Sequence, residues 1–305
     1  MKRITDLKRK PILMFVRLLG ALLLVAVALA PKAALAGGGP QHLFYTLGGN
    51  LLGNRAALYA IQLSGSKITT TEVGKGIGGT LTQFGCASLA MSPVTGKLYS
   101  MCVQDASTFP DGDMYLVTID TNTGQATFPT SGTKNNLGIM AMTFSPDGTL
   151  YAVGGCFPYP DPPAEGGTFD CDPGAPGFNT LYTVDVHTGG LTPIGPTGAP
   201  EYFMDLSFDR NGNLWGETST LTPAYPPAVL YRIDTATGAA TNPVNLVGSS
   251  TVMGLAFDQN GKLYATDFTQ NPGFYLVDPK TGFERALGAL PFNESTALEL
   301  ADPLK

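Results

Sequence analysis

Asp205 and Glu217 are the residues of this sequence best suited to chemistry, because both acids lie in apolar, strand-forming segments. Other copies of the same repeated segments carry small or uncharged residues at these places, for example Gly254 and Thr266. Counting back from the polar turn at 209–213 places the two acids opposite each other on paired strands. A close carboxylate pair can bind a cation such as Ca²⁺ or share a proton for acid–base work. The alternative is that hydroxyl groups, backbone donors or solvent satisfy each acid, since a buried carboxylate needs partners whatever its role.

Three further residues, Glu201, Tyr202 and Asp267, are predicted to lie at the same end of the fold and to complete the site. The set predicts weak binding of Ca²⁺ or of a polar ligand, with the acid pair as the metal ligands. No other cofactor is predicted. A histidine-based zinc site is excluded, because the chain contains only two histidines.

The segments that position these residues belong to an internal repeat. Its clearest phrase is Leu-Tyr-x-Ile-Asp followed by an Asp-x-x-Thr-Gly turn, and a second phrase of strand, tight polar turn and strand lies between the copies. Glycine ends these turns because it accepts a positive φ at little steric cost. Units of four short strands that repeat about every 50 residues predict an all-β fold, a β-propeller. The copies of the first phrase are 58–65 (the faintest), 116–124, 181–189, 230–238 and 274–282.

The two ends of the repeat region predict how the ring closes. Residues 42–46 copy a second strand with no first strand before it, and residues 295–300 copy a first strand with no second strand after it. Joined, they complete one blade, which gives five four-stranded blades closed by the C-terminal strand. Six blades are the alternative if the stretch 154–179 contains strands, although its prolines argue against this.

The stretch 255–265 reads Leu-Ala-Phe-Asp-x-x-Gly-x-Leu-Tyr-Ala and is followed by a Leu-Tyr-x-Ile-Asp-like strand. This pattern resembles the strand-turn-strand units of the NHL, YVTN and gluconolactonase-like propellers of secreted bacterial proteins. The resemblance covers nearly all of the chain after its amino-terminal leader and implies a propeller. It implies no single function, because this group contains both enzymes and binding modules.

The first 36 residues are predicted to be a secretory signal peptide. A basic opening precedes an apolar run at 18–30, and Ala34-Leu35-Ala36 supplies small residues for cleavage. A membrane anchor is the weaker alternative, since spanning a bilayer needs about 20 apolar residues. We therefore expect a secreted or periplasmic protein in which residues 37–305 form a single propeller domain.

The charge of the chain limits its partners. Residues 1–36 hold seven of the 18 basic residues but one of the 24 acids, so the remainder has 11 basic and 23 acidic groups, a net charge of about −12. Such a surface repels phosphate backbones and anionic lipids, which argues against nucleic acid as a partner. No membrane insertion is expected after cleavage of the leader.

The four cysteines are an even number, as expected for an oxidising compartment. Strand pairing around the turn at 94–96 places Cys86 opposite Cys102 and predicts a disulfide between them. Cys156 and Cys171 are predicted to pair inside an insertion at about 154–179. Four cysteines allow three pairings, and we favour this one because both bonds are local.

Two functions from different classes remain open at this point. Every long or irregular connection is predicted at one end of the ring, and variable loops on a regular scaffold are the usual place for binding. This favours a secreted, non-enzymatic propeller, expected to be a monomer, that binds an extracellular protein, glycan or small molecule through its irregular loop face. The alternative is a cation-assisted hydrolase of the lactonase kind that uses Asp205 and Glu217.

Overall fold

A computed structural model describes residues 41–49, 57–74, 76, 86–103, 114–135, 137–155, 177–219, 227–248, 251–269, 271–292 and 295–304. All of them fall within one unit of the chain, Gln41–Lys305. No helix in these ranges is long and apolar enough to cross a membrane. Cys156 and Cys171 lie outside the described residues, as does most of the predicted insertion at 154–179.

The described residues form twenty strands in five four-stranded antiparallel sheets, which are the blades of a β-propeller. The first strand of each blade is the inner one, since these strands contact each other around the axis. From inner to outer strand, the blades are blade 1, β20 (Ser295–Leu300), β1 (Gln41–Gly48), β2 (Ala57–Ser64) and β3 (Lys67–Val73); blade 2, β4 (Ala90–Met91), β5 (Leu98–Val103), β6 (Met114–Ile119) and β7 (Ala126–Thr127); blade 3, β8 (Gly138–Phe144), β9 (Leu150–Gly155), β10 (Thr180–Val184) and β11 (Leu191–Pro196); blade 4, β12 (Tyr202–Phe208), β13 (Leu214–Ser219), β14 (Val229–Ile233) and β15 (Ala240–Asn245); and blade 5, β16 (Val252–Phe257), β17 (Leu263–Asp267), β18 (Gly273–Val277) and β19 (Glu284–Ala289).

Blade 1 closes the ring by joining the two ends of the described chain. The C-terminal strand β20 pairs antiparallel with β1, with Phe44 opposite Leu300 and Tyr45 opposite Glu299. Because both strands come from opposite ends of the sequence, this one sheet ties the first and last blades together. The prediction of five blades with closure by the C-terminal strand is confirmed.

The repeated Thr-Gly turn joins neighbouring blades. Gly124 has a φ of +69°, and a Cβ atom there would lie 2.2 Å from the carbonyl oxygen of Val73 in the preceding blade. Gly282 repeats this arrangement, with a φ of +72° and a Cβ position 1.9 Å from the oxygen of Asn245. Glycine is therefore required twice over, by the backbone conformation and by the close approach of the next blade. The phrase that identifies the repeat is a contact between blades.

The inner strands of blades 3, 4 and 5 share a second irregularity. Each contains a β-bulge near its start, where one residue of the inner strand has no partner on the second strand. A bulge bends the strand and turns a side chain out of the regular alternation. The bulges fall between Ile139 and Ala141, between Phe203 and Asp205, and between Val252 and Gly254.

The disulfide Cys86–Cys102 is present and confirms one of the two predicted pairings. Cys86 lies in an isolated antiparallel bridge opposite Cys102 of β5, just before the short inner strand β4. The bond therefore fixes the start of blade 2, where the described inner strand is two residues long.

We expect the double variant Cys86→Ser/Cys102→Ser to lower the free energy of unfolding. The bond spans 16 residues, and closing a loop of that length is worth about 3 kcal/mol. Urea denaturation of the purified variant and of the parent measures the difference. A double variant as stable as the parent would show that the strand pairing alone holds this part of blade 2.

Candidate functional site

Asp205 and Glu217 lie opposite each other on β12 and β13 of blade 4, in the register that the sequence predicts. Both side chains have 0% exposure to solvent. Trp215, two residues before Glu217 on the same face of β13, packs against Phe257 of blade 5 with ring centroids 5.9 Å apart. The acid pair is therefore buried in the apolar interface between blades 4 and 5.

The Asp205 carboxylate accepts hydrogen bonds from the inner strands of three blades. Its Oδ1 accepts from the backbone N–H of Leu206 at 2.9 Å, in its own strand. Its Oδ2 accepts from Leu255 N–H of blade 5 at 2.8 Å and from Leu298 N–H of blade 1 at 3.0 Å. Burial raises the pKa of Asp205 well above its usual range, and the three amides oppose that shift. The alternative in which backbone donors satisfy this acid thus describes Asp205.

Glu217 differs from Asp205, because neither of its carboxyl oxygens has a hydrogen-bond partner among the described residues. Burial raises the pKa of Glu217 well above its usual range, and the nearby carboxyl groups of Asp205 and Glu284 raise it further. A buried carboxyl without donors is stable only in its neutral form, since the charged form loses its hydration without compensation. Glu217 is therefore a neutral, proton-carrying side chain inside the blade interface.

The corresponding place in blade 5 shows how the repeat usually fills this position. There Thr266 accepts a hydrogen bond from the hydroxyl of Ser295 at 2.7 Å, and Ser295 is also 2.7 Å from the Thr46 hydroxyl. The chain of three hydroxyls satisfies itself across blades 5 and 1. Glu217 lacks such neighbours, so it departs from the repeat in chemistry as well as in residue type.

Asp267, the third predicted acid, serves its own blade. Its Oδ1 accepts from Gly273 N–H at 2.8 Å and from the Thr269 hydroxyl at 2.9 Å, and its Oδ2 accepts from the Tyr275 hydroxyl at 2.7 Å. These bonds join β17 to β18 and the connection between them. The structure therefore gives Asp267 a role in holding that connection, separate from the acid pair.

Glu201 and Tyr202 lie at the start of β12 and make contacts away from the acid pair. Tyr202 packs edge-on against Phe178, with ring centroids 5.4 Å apart. Glu201 lies beside Tyr231, whose pKa is raised by burial and further by the Glu201 carboxyl. The buried Oε2 of Glu201 has no hydrogen-bond partner in the described part of the chain. Of the predicted residues, the structure brings together Asp205 and Glu217.

Two acids near this pair were not predicted from the sequence. Glu284 of β19 is buried in blade 5 and acts on Glu217 through its charge. Glu299 of β20 lines an opening of about 300 Å³ on the axis together with Thr143, Ser207, Pro303 and Leu304, among others. Burial raises the pKa of Glu299 well above its usual range, Asp205 adds to the shift, and a bond with the Met91 backbone opposes it. The repeat itself holds a signal for Glu299, because the matching inner-strand residues are uncharged.

The oxygen atoms of the pair decide how well it fits the predicted Ca²⁺. The Asp205 oxygens already accept three amide hydrogen bonds, whereas the Glu217 oxygens have no partner among the described residues. Glu217 thus fits a metal ligand, and Asp205 fits a structural acceptor. Within the described ranges, no group of three or more His, Cys, Asp or Glu residues is placed to hold a metal ion.

No family model matches this chain, and no curated protein matches it. Solved structures do match in fold. The chain is similar to the periplasmic gluconolactonase of Pseudomonas aeruginosa, with 11% identity, coverage of 86% of this chain and 99% of that one, and a TM-score of 0.45. It is also similar to a gluconolactonase of Xanthomonas campestris, with 12% identity, 85% and 90% coverage, and a TM-score of 0.40.

A third similar structure is the hydrazine synthase of Kuenenia stuttgartiensis, with 13% identity, 87% and 72% coverage, and a TM-score of 0.42. These are similarities of fold at low sequence identity. Gluconolactonase-like propellers, which the repeat resembles, are thus among the structures similar to this fold.

Proposed function

We propose that this chain is an exported, non-enzymatic propeller that binds an extracellular protein, glycan or small molecule through one end of its ring. The observation that carries the proposal is the contrast between the two ends. At one end the strands are joined by short turns such as 120–125 and 234–239, and at the other by the connections 104–113, 156–179 and 220–228. Loops that vary on a regular scaffold are where binding residues collect.

The turns at the short end are nearly identical in structure. The Oδ1 atom of the turn aspartate accepts the N–H two residues later in each case, as Asp120 does from Asn122 at 2.7 Å and Asp234 from Ala236 at 2.7 Å. Asp209, at a turn of the second phrase, accepts from Asn211 N–H at 2.8 Å and from the Trp215 indole at 3.1 Å. Because these acids are committed to turn geometry, the short end offers little variation from which to build a specific ligand site.

The acid pair supports the same proposal. Catalytic or metal-binding carboxylates need oxygens that face the substrate or the ion. The oxygens of Asp205 instead join three inner strands, and Glu217 is enclosed in the apolar interface with no exposed surface. This geometry favours a scaffold whose acids serve the fold, with binding left to the loop end.

Exchange of connections tests the proposal. We expect a variant in which 156–179 is replaced by the chain's own short connection 268–272 to lose binding that the parent shows on a glycan array or to a defined extracellular protein. The matched control exchanges the turn 120–125 for the turn 234–239 at the opposite end and should bind like the parent. Equal binding by both variants, with both shown to be folded by circular dichroism, would contradict a loop-end site.

Lactone hydrolysis is the second candidate function, since two of the similar structures are named gluconolactonases. Glucono-δ-lactone offered to the purified protein with added Ca²⁺ tests it directly, and we expect no acid release above the uncatalysed rate. Turnover that depends on Ca²⁺ and that disappears in Glu217→Gln would contradict the non-enzymatic proposal and favour the hydrolase.

A further inference from the structure

The methionines of this chain are concentrated in one place. Beyond residue 36 the sequence has seven methionines, and six of them belong to a single buried cluster of 16 residues. Elsewhere the inner strands use leucine for the same apolar purpose, as at Leu206, Leu255 and Leu298. Packing alone gives no reason to collect thioethers at this one location, because leucine fills a core with better-defined rotamers. The clustered methionines are Met101, Met114, Met140, Met142, Met204 and Met253.

Three of these methionines occupy the same structural position in successive blades. Met140, Met204 and Met253 are the unpaired bulge residues of β8, β12 and β16. In blade 1 the register shifts at the matching place in β20, around Thr296. The bulges lie near the starts of the inner strands, at the end of the ring that carries the long connections. A repeated thioether layer thus lies at the loop end of the axis.

The three side chains meet across the axis of the propeller. Met253 of blade 5 belongs to the same cluster as Met101 of blade 2 and Met142 of blade 3, although blade 5 borders only blades 4 and 1. Met204 of blade 4 completes the connection. Met204 and Met253 are at most 1% exposed, while Met140 is 8% exposed, so Met140 is the member open to the loop end.

A second observation at this layer points to a ligand. The hydroxyl oxygen of Thr296, which lies at the bulge position of blade 1, is buried and has no hydrogen-bond partner among the described residues. A buried polar group of this kind costs about 1–3 kcal/mol unless something satisfies it. Neutral thioethers are soft ligands that select Cu(I) over the hard cations that carboxylates prefer.

We propose that Met140, Met204 and Met253 form a binding site for a soft monovalent cation of the Cu(I) type, at the loop end of the propeller axis. Three thioethers supply a trigonal set of neutral sulfur ligands, and the Thr296 hydroxyl adds an oxygen at the same level. The site is independent of the acid pair and of the extracellular ligand proposed above. An exported protein with this site would hold Cu(I) without using a free thiol.

Competition for Cu(I) tests the proposal on the purified protein. We expect one Cu(I) per chain, measured anaerobically against bathocuproine disulfonate with ascorbate as the reductant, and a rise in melting temperature with Ag(I) as a redox-inert probe. The triple variant Met140→Leu/Met204→Leu/Met253→Leu keeps the apolar volume and removes the sulfur atoms. Its affinity should fall by at least about 100-fold, the upper end of what loss of an outer partner costs a metal site.

The controls separate this site from general methionine packing and from cysteine. Met91→Leu removes a thioether outside the cluster and Met142→Leu one that is in the cluster but not at a bulge, and both should bind like the parent. Titration of the same sample with a thiol-reactive dye checks that no reduced cysteine binds the metal. Should the triple variant fail to fold, the single variant Met204→Leu should still weaken binding about 10-fold. A parent that does not bind Cu(I), or a folded triple variant that binds as tightly as the parent, would overturn the proposal.

Discussion

Replacing Asp205 with alanine is expected to lower the free energy of unfolding by about 4 kcal/mol, because three buried amides lose their acceptor at once and each unsatisfied group costs about 1–3 kcal/mol. Those amides belong to Leu206, Leu255 and Leu298, on the inner strands of blades 4, 5 and 1. The loss is partly offset because a carboxyl group no longer has to be buried. Urea denaturation followed by far-ultraviolet circular dichroism measures the change.

Ser207→Ala is the matched control for this variant. Ser207 lies two residues further along β12, and its hydroxyl accepts one hydrogen bond from Phe257 N–H of blade 5 at 2.9 Å. Loss of that single bond should cost about 1 kcal/mol. Asp205→Asn keeps one acceptor oxygen and should fall between the two. If Asp205→Ala costs no more than Ser207→Ala, the carboxylate does not join the three blades as we describe.

The expected size of this effect shows what the repeat does for the fold. Each inner strand has polar backbone groups that face the axis, and these need partners within a narrow ring. In blade 5 the place of Asp205 is taken by Gly254, where a Cβ would lie 2.9 Å from the Ala297 backbone. One blade reaches across the axis with a carboxylate, and another leaves space for its neighbour to approach. Five blades of one design therefore pack as an asymmetric ring.

Much of this architecture could be predicted from the sequence, because the repeat fixes the strand order and the turns fix the register. The pairing of Asp205 with Glu217 follows from counting residues back from the turn at 209–213, and the pairing of Cys86 with Cys102 follows in the same way. Both residue pairs lie within a single hairpin. Hairpin geometry is local, so a single sequence is enough to specify it.

The contacts between blades could not be predicted in this way. The amides that reach Asp205 come from residues 50 and 93 positions away in the sequence, and Glu284 acts on Glu217 from another blade. These contacts depend on how far each blade rotates about the axis, which no repeat phrase encodes. The methionine layer did leave a signal, since Phe-Met-Asp, Val-Met-Gly and Ile-Met-Ala begin three inner strands. Its meaning depends on a bulge, which strict two-residue alternation does not predict.

Glu217→Met is expected to stabilise the protein, by about 2 kcal/mol at pH 5, since it replaces an unsatisfied buried carboxyl with an apolar side chain of similar length. The repeat supports this choice, because Met101 occupies the corresponding place in blade 2 and pairs there with Leu116 as Glu217 pairs with Leu230. The new side chain would extend the apolar interface between blades 4 and 5. Chemical denaturation of the parent and the variant gives the difference.

The advantage of this variant should grow as the pH rises. The raised pKa of Glu217 means that the folded protein keeps a proton that the unfolded chain releases near pH 4.3, the ordinary value for glutamate. Above that pH the folded state binds more protons than the unfolded state, so the stability of the parent falls until the pH passes the folded pKa. Each unit of the raised pKa is worth about 1.4 kcal/mol, so the gain at pH 8 should exceed the gain at pH 5 by at least that amount.

The same measurement separates a structural Glu217 from one that binds a cation. Denaturation at pH 5 and pH 8 is repeated with EDTA and with Ca²⁺, and Glu72→Met on the exposed face of β3 serves as the control that should change little. A neutral, enclosed Glu217 predicts that Ca²⁺ has no effect on the parent and that the variant is more stable throughout. If Ca²⁺ stabilises the parent and Glu217→Met abolishes that response, the two unpartnered oxygens of Glu217 are metal ligands. In that case the loss of a cation site, rather than the loss of a buried proton, would set the stability of the interface between blades 4 and 5.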